Sequence, residues 1–318
     1  MNAAKAIIAA IVVAALPMPG VAVENAVGRS VPGFWVHPTV GVVPKEPGFR
    51  FTILPLGYQG SIVSRTLQAP NLTADAGQLQ TNLSTGASEN FLVTQYFYRV
   101  ENPKIALGSS LYVPIAYHTT TATMFSHSMT FTNAGLADVF FSPLTLGIHF
   151  SENNNLAIDT KIWAPTGSFE VGRLGNLGMN VWTFTPNVAH TYLWKKRGLE
   201  IDNYVAFDIY RENTATKYKS GTMFHWDGLL FQYLSPRGGF GVIVSNETQI
   251  TPDTGPLADR LNGFQGRAWG AGPIVAYVAK EKGPKIVLQF RWVPEFHVSN
   301  MLSGETFMLG VTFMQGKQ

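Results

Sequence analysis

The feature that most constrains this chain is the rhythm of its connections. Beyond Gly48, twelve stretches of about ten to fifteen residues alternate apolar with polar side chains: 49–60, 91–101, 105–117, 137–150, 156–165, 179–193, 199–212, 221–234, 239–250, 265–279, 285–297 and 304–315. Every second connection is short: ENPK at 101–104, ENNN at 152–155, KKRG at 195–198, SPRGG at 235–239 and KEKGP at 280–284. Asn, Gly, Pro and charged residues are what tight turns favour. The intervening connections, 61–90, 118–136, 166–178, 213–220, 251–264 and 298–303, are longer. A soluble sandwich or propeller has no reason to alternate short with long. A bacterial outer-membrane barrel does, with short periplasmic turns and longer extracellular loops. Each stretch is long enough to cross the membrane tilted, which takes about 9–11 residues. The expected fold is therefore all-β, an antiparallel transmembrane β-barrel of twelve strands in the outer membrane of a Gram-negative cell.

Composition agrees. Hydrophobic residues make up 46% of the 318 residues and charged residues only 14%, against about 25% charged in a soluble domain. In a barrel only alternate residues face lipid, so an intermediate polarity is what the architecture needs. The absence of cysteine excludes a disulfide scaffold and a thiolate metal site. The net charge of +3 is spread thinly, with no basic stripe, which argues against a nucleic-acid partner.

The N-terminus reads as an export signal. Met1–Lys5 carries one positive charge, 6–16 is an apolar run of eleven residues, and Pro17, Pro19 and Gly20 break it. Eleven residues are too few for a helix to span about 30 Å of hydrocarbon. Small residues at Gly20 and Ala22 place cleavage after Ala22. The expected organisation is a signal peptide at 1–22, an irregular periplasmic segment or plug at 23–47, and the barrel at 48–318.

Alternation also assigns faces. In 285–297, Ile286, Leu288, Phe290, Trp292, Pro294 and Phe296 share one face, whereas Gln289, Arg291, Glu295 and His297 share the other. An arginine or lysine facing lipid at mid-membrane costs about 2–4 kcal/mol, so central charges mark the lumen. By this rule Arg50, Asp159, Lys161, Asp208, Glu212, His225, Asp227, Glu247, Arg267, Arg291 and Glu295 line the lumen. Six of the ten charged side chains are acidic and four basic, so the expected lumen is close to neutral. Arg267, Arg291, Glu247 and Glu295 lie on consecutive strands, where they can pair. Tyr96, Tyr98, Trp182, Trp194, Trp226, Trp269 and Trp292 are expected in interface girdles and lipid contacts. The seven histidines show no ligand spacing, and no glycine-rich phosphate loop is present, so no metal or cofactor is expected.

Several stretches resemble the outer-membrane family named for the meta-pathway of phenol degradation. They include PGFRF at 47–51, GLADVFFSPLTLGIHF at 135–150, RENTATKYKSGTMFHWDGLL at 211–230, QITPDTG at 249–255 and FRWVPEFHVSNMLSGETF at 290–307. The resemblance implies a porin-like transporter of aromatic compounds, with membrane lipid and a small-molecule solute as partners. It implies no catalytic residue. The resulting expectation is passive diffusion of small apolar or aromatic molecules. One alternative is a structural or adhesive barrel without transport. Another is a lipid-modifying hydrolase using His297 as base and Ser299 as nucleophile, two residues apart on one strand.

Overall fold

Alternating side chains build a closed antiparallel barrel in the computed structural model, which describes residues 28–67, 79–124, 127–260, 263, 265–280 and 285–314. The strands are β1 (Gly48–Leu67), β2 (Leu79–Tyr98), β3 (Ile105–Met124), β4 (His127–Leu136), β5 (Phe140–His149), β6 (Asn154–Trp163) and β7 (Thr183–Trp194). They continue with β8 (Leu199–Tyr210), β9 (Met223–Ser235), β10 (Gly238–Gln249), β11 (Arg267–Lys280), β12 (Lys285–Ser299) and β13 (Ser303–Met314). Each pairs with its neighbours, β1 with β13, and β2 with β3. The ring of β1–β3 and β5–β13 closes on itself, which is the only β solution in lipid, while β4 pairs with β3 alone. β4 and β5 are two halves of one stave, since β3 pairs with both. Ala137, Asp138 and Val139 interrupt it. The barrel thus has twelve staves, as the sequence rhythm implies. The proposed signal peptide at 1–22 lies outside the described residues.

The wall alternates as expected. In β7, Thr183, Thr185, Asn187, Ala189 and Thr191 are buried, while Phe184, Val188, Tyr192 and Trp194 point outward. The expected girdle residues Tyr98, Trp182, Trp194 and Trp292 are exposed on the outside. Short turns close one end of the barrel. At 195–198 a single 3-10 turn ends on Gly198 in the left-handed conformation. Lys195 Nζ reaches Glu152 Oε2 on the neighbouring turn at 2.6 Å, and this bond holds the Glu152 carboxyl below its ordinary range.

The opposite end departs from the expected loops. The described residues of 61–90 and 118–136 are mostly strand. β1 runs on to Leu67, β2 begins at Leu79, β3 runs on to Met124 and β4 begins at His127. These extensions rise beyond the length a membrane requires, so they need no apolar face. Ser and Thr ladders join them instead: Thr121 meets Thr130, and Thr123 meets Ser128, each at 2.9 Å. β-branched threonine fits a pleated surface even where nothing apolar is buried.

Candidate functional site

Residues 28–47 do not lie outside the barrel mouth. They run down the lumen from the loop end to the turn end. A chain buried there must find partners for its backbone groups, and the inward charges of the wall supply them. Asp227 on β9 accepts from the amides of Gly33 (3.2 Å) and Trp35 (3.1 Å), and Ser245 also donates to it. Arg291 on β12 donates to the carbonyls of Gly33 (2.8 Å), Phe34 (3.1 Å) and Val36 (2.6 Å). Glu200 on β8 accepts from the amide of Thr39 at 2.6 Å. At the loop end, Arg29 forms a buried ion pair with Asp138 at 2.6 Å and donates to Thr183 and the Val181 carbonyl. Asp138 also accepts the amides of Gly167 and Met179, both at 2.9 Å. The interruption between β4 and β5 therefore anchors both the lumen segment and the 164–182 loop.

The segment can sit this close because small residues meet it. At Gly33 the backbone is left-handed (φ 75°), and an added Cβ would lie 2.9 Å from Val293. Gly147 of the wall leaves room for Val43, whose Cβ would lie 2.5 Å from a substituent there.

Phe34 and Trp35 fill the middle of the lumen. Trp35 stacks on Tyr204 with ring centroids 5.4 Å apart, and Lys161 Nζ lies 4.6 Å above the Trp35 ring. Phe34 meets Phe91 edge-on, and Phe140 stacks on Trp163. This aromatic cluster divides the space in two. The upper cavity, toward the loops, has a volume of about 170 Å³ and is lined by Tyr58, Phe91, Trp163 and Met301 among others. The lower cavity, toward the turns, has about 320 Å³ and includes Trp35, Phe97, Tyr112 and Tyr204. Their charges differ. Glu89, Asp138, Glu247 and Glu295 face the upper cavity against Arg29. Arg50, Lys161, Arg237 and Arg291 face the lower one against Asp159.

Nine of the eleven residues expected inside are inside: Arg50, Asp159, Lys161, Asp208, His225, Asp227, Glu247, Arg291 and Glu295. Two are not. Glu212 follows the end of β8 on the exposed rim and faces Lys217 at 3.8 Å. It lies two residues past Tyr210, the last inward position, where the strand has ended and alternation no longer sets the face. Arg267 opens β11 and is exposed on the outer face; Ala268, buried, takes the inward place. An outward arginine at a strand end reaches the headgroup level, where its cost is small. The expected pairing of Arg267 and Arg291 with Glu247 and Glu295 does not form. Glu247 faces His225 at 3.3 Å, and Glu295 accepts from the Gly304 amide at 2.9 Å and from Tyr58 at 3.4 Å.

His225 invites a catalytic reading, because Ser30 Oγ lies 3.3 Å from its Nδ1 and Asp208 lies 2.7 Å from its Nε2. That order resembles nucleophile, base and orienting carboxylate. Glu247 also faces Nδ1, so the nitrogen that would take the serine proton already meets a carboxylate. The group is a buried polar network that holds Ser30. His297 and Ser299 fare no better. His297 has a positive φ of 49°, and the β11–β12 register shifts beside it. This bulge turns Val298 inward against Met223 and Ala268 and leaves His297 and Ser299 exposed outside. His297 is thus outward, contrary to strict alternation. Neither side chain has a hydrogen-bond partner among the described residues, so no base–nucleophile pair exists. Strand alternation alone did not reveal Phe34, Trp35, Arg29, Asp138 and Glu200. The one available signal was an aromatic pair after Pro-Gly in a segment with no strand period.

Fold and lumen together define an outer-membrane β-barrel of twelve staves, threaded by its own N-terminal segment. Residues 68–310 match the family described as MetA-pathway of phenol degradation, and the chain belongs to that family. Among solved structures, the COG4313 outer membrane channel of Pseudomonas putida F1 is similar in fold, with a TM-score of 0.61 and 12% identity over 90% of this chain and 99% of that one. A FadL homologue of Pseudomonas aeruginosa (TM-score 0.48, 9% identity, 92% and 99% covered) is more distant. So is the monoaromatic hydrocarbon channel CymD (TM-score 0.43, 7% identity, 95% and 99% covered). No curated protein matches the sequence.

Proposed function

We propose that the barrel is an outer-membrane channel through which small, uncharged apolar or aromatic molecules pass by passive diffusion, with residues 28–47 as its plug. The observation that carries this reading is the division of one aromatic-lined lumen into two cavities by Phe34 and Trp35. Their volumes, about 170 and 320 Å³, match or exceed the ~150 Å³ cavity that accommodates benzene in a protein interior. Opposite charge in series favours the same solutes. A cation meets the basic cavity and an anion the acidic one, in a confined space where charges are poorly screened. An uncharged ring meets neither barrier. The naming of the family for phenol degradation is consistent with an aromatic solute.

The test is uptake of labelled phenol by cells lacking other porins, with and without this protein. Uptake should rise with wild-type protein and rise further when Phe34 and Trp35 are both replaced by alanine. Uptake equal to the empty-membrane control in both cases would favour a structural or adhesive barrel.

A further inference from the structure

Four basic side chains face the lower cavity, Arg237 from the exposed turn after β9 and three from the wall, and those three are not equivalent. Lys161 donates to Asp159 at 3.1 Å and to Tyr204 at 3.3 Å. Arg291 is spent on three carbonyls of the lumen segment. Arg50, on the inward face of β1 near the turn end, has no hydrogen bond or ion pair among the described residues, and its Nε is buried without a partner. Its guanidinium instead lies 5.1 Å from the centre of the Phe97 ring. A guanidinium whose Nε is buried without an acceptor is costly, and its fork of donors matches the two oxygens of a carboxylate. The cavity beside it is about 320 Å³, roughly twice the volume that accommodates benzene, and Phe97, Tyr112 and Trp35 give it flat apolar walls.

We infer that the lower cavity is a binding site for an aromatic carboxylate, with Arg50 as its counter-ion and the surrounding rings packing on the aromatic body. Such an anion enters from the turn end. It does not pass upward, because Glu247 and Glu295 face the cavity beyond Phe34 and Trp35. The site does not rest on the channel reading, because it is tested by equilibrium binding and not by permeation.

The experiment is calorimetric titration of the purified full-length protein in detergent with benzoate, and with benzamide as the uncharged isostere. Wild type should bind benzoate at least tenfold more tightly than benzamide. Arg50→Gln should weaken benzoate by about tenfold or more and leave benzamide unchanged, the loss expected for a charge-assisted pair. Gln95 pairs directly with Arg50 across β1 and β2, so Gln95→Glu should occupy the guanidinium and give the same loss with Arg50 in place. This second variant settles the matter should Arg50→Gln not fold. Absence of benzoate binding by wild type, or undiminished binding by both variants, overturns the inference. Phenol uptake is measured separately on the wild-type protein, so a failed channel and a failed binding site give different results.

Discussion

The upper and lower cavities share a wall, a set of strands and an aromatic partition, yet they carry opposite charge. Alternation explains why charged residues point inward; it says nothing about their sign at each height. Summed over the strands, the expected charges nearly cancel. Sorted by height they separate, with Glu247 and Glu295 above Phe34 and Trp35, and Arg50 and Arg291 below. The second difference concerns what the charges hold. Above, Arg29 and Asp138 neutralise one another. Below, Arg291 gives its hydrogen bonds to neutral carbonyls of the lumen segment and forms no direct ion pair among the described residues. A lumen's net charge is therefore a poor guide to its selectivity.

The largest break in this comparison should come at the upper anchor. Asp138→Ala strands Arg29 in a buried site and frees the Gly167 and Met179 amides. Removing one partner of a buried pair costs about 3–5 kcal/mol, measurable as a lower urea midpoint for the folded barrel. The lower anchor should yield less. Gly147→Ala drives a methyl against Val43, and overpacking of this kind costs about 1–3 kcal/mol. It should displace the segment at the turn end while Arg29 and Asp138 hold at the other, so protease access should increase near Val43 and not near Arg29. Glu295→Lys replaces an acidic side chain of the upper cavity with a basic one, and the reversal potential in a salt gradient should move toward anion selectivity. Arg267→Gln is the smallest change. Its side chain lies outside the lumen, so stability should stay within about 0.5 kcal/mol and selectivity should not move. A selectivity shift in Arg267→Gln would return that residue to the lumen.

The barrel was legible because lipid imposes a strict period of two. Leu288, Phe290, Trp292 and Phe296 share one face in the sequence and are outward. Legibility failed where that constraint ends. The Thr-rich extensions of β3 and β4 bury nothing in lipid, so their alternation carries no hydrophobic signal. His297 sits at a bulge, which shifts the parity that Arg291 and Glu295 obey. Glu212 lies beyond the last inward residue of β8. The site itself was half visible. Asp227 and Arg291 were recognisable as lumen residues. Their actual partners, the amides and carbonyls of Gly33–Val36, are remote in sequence and offer no side-chain pattern to read.

The two cavities are distinct because Phe34 and Trp35 separate spaces that would otherwise be continuous. Single-channel conductance in planar bilayers tests that separation directly, comparing wild type with the Phe34→Ala, Trp35→Ala double variant. Wild type should show little ion conductance. The variant should show a several-fold larger unitary step, because the partition is gone and the lumen fills with water. Equal conductance in the two proteins, or a wide-open wild type, would contradict the partition.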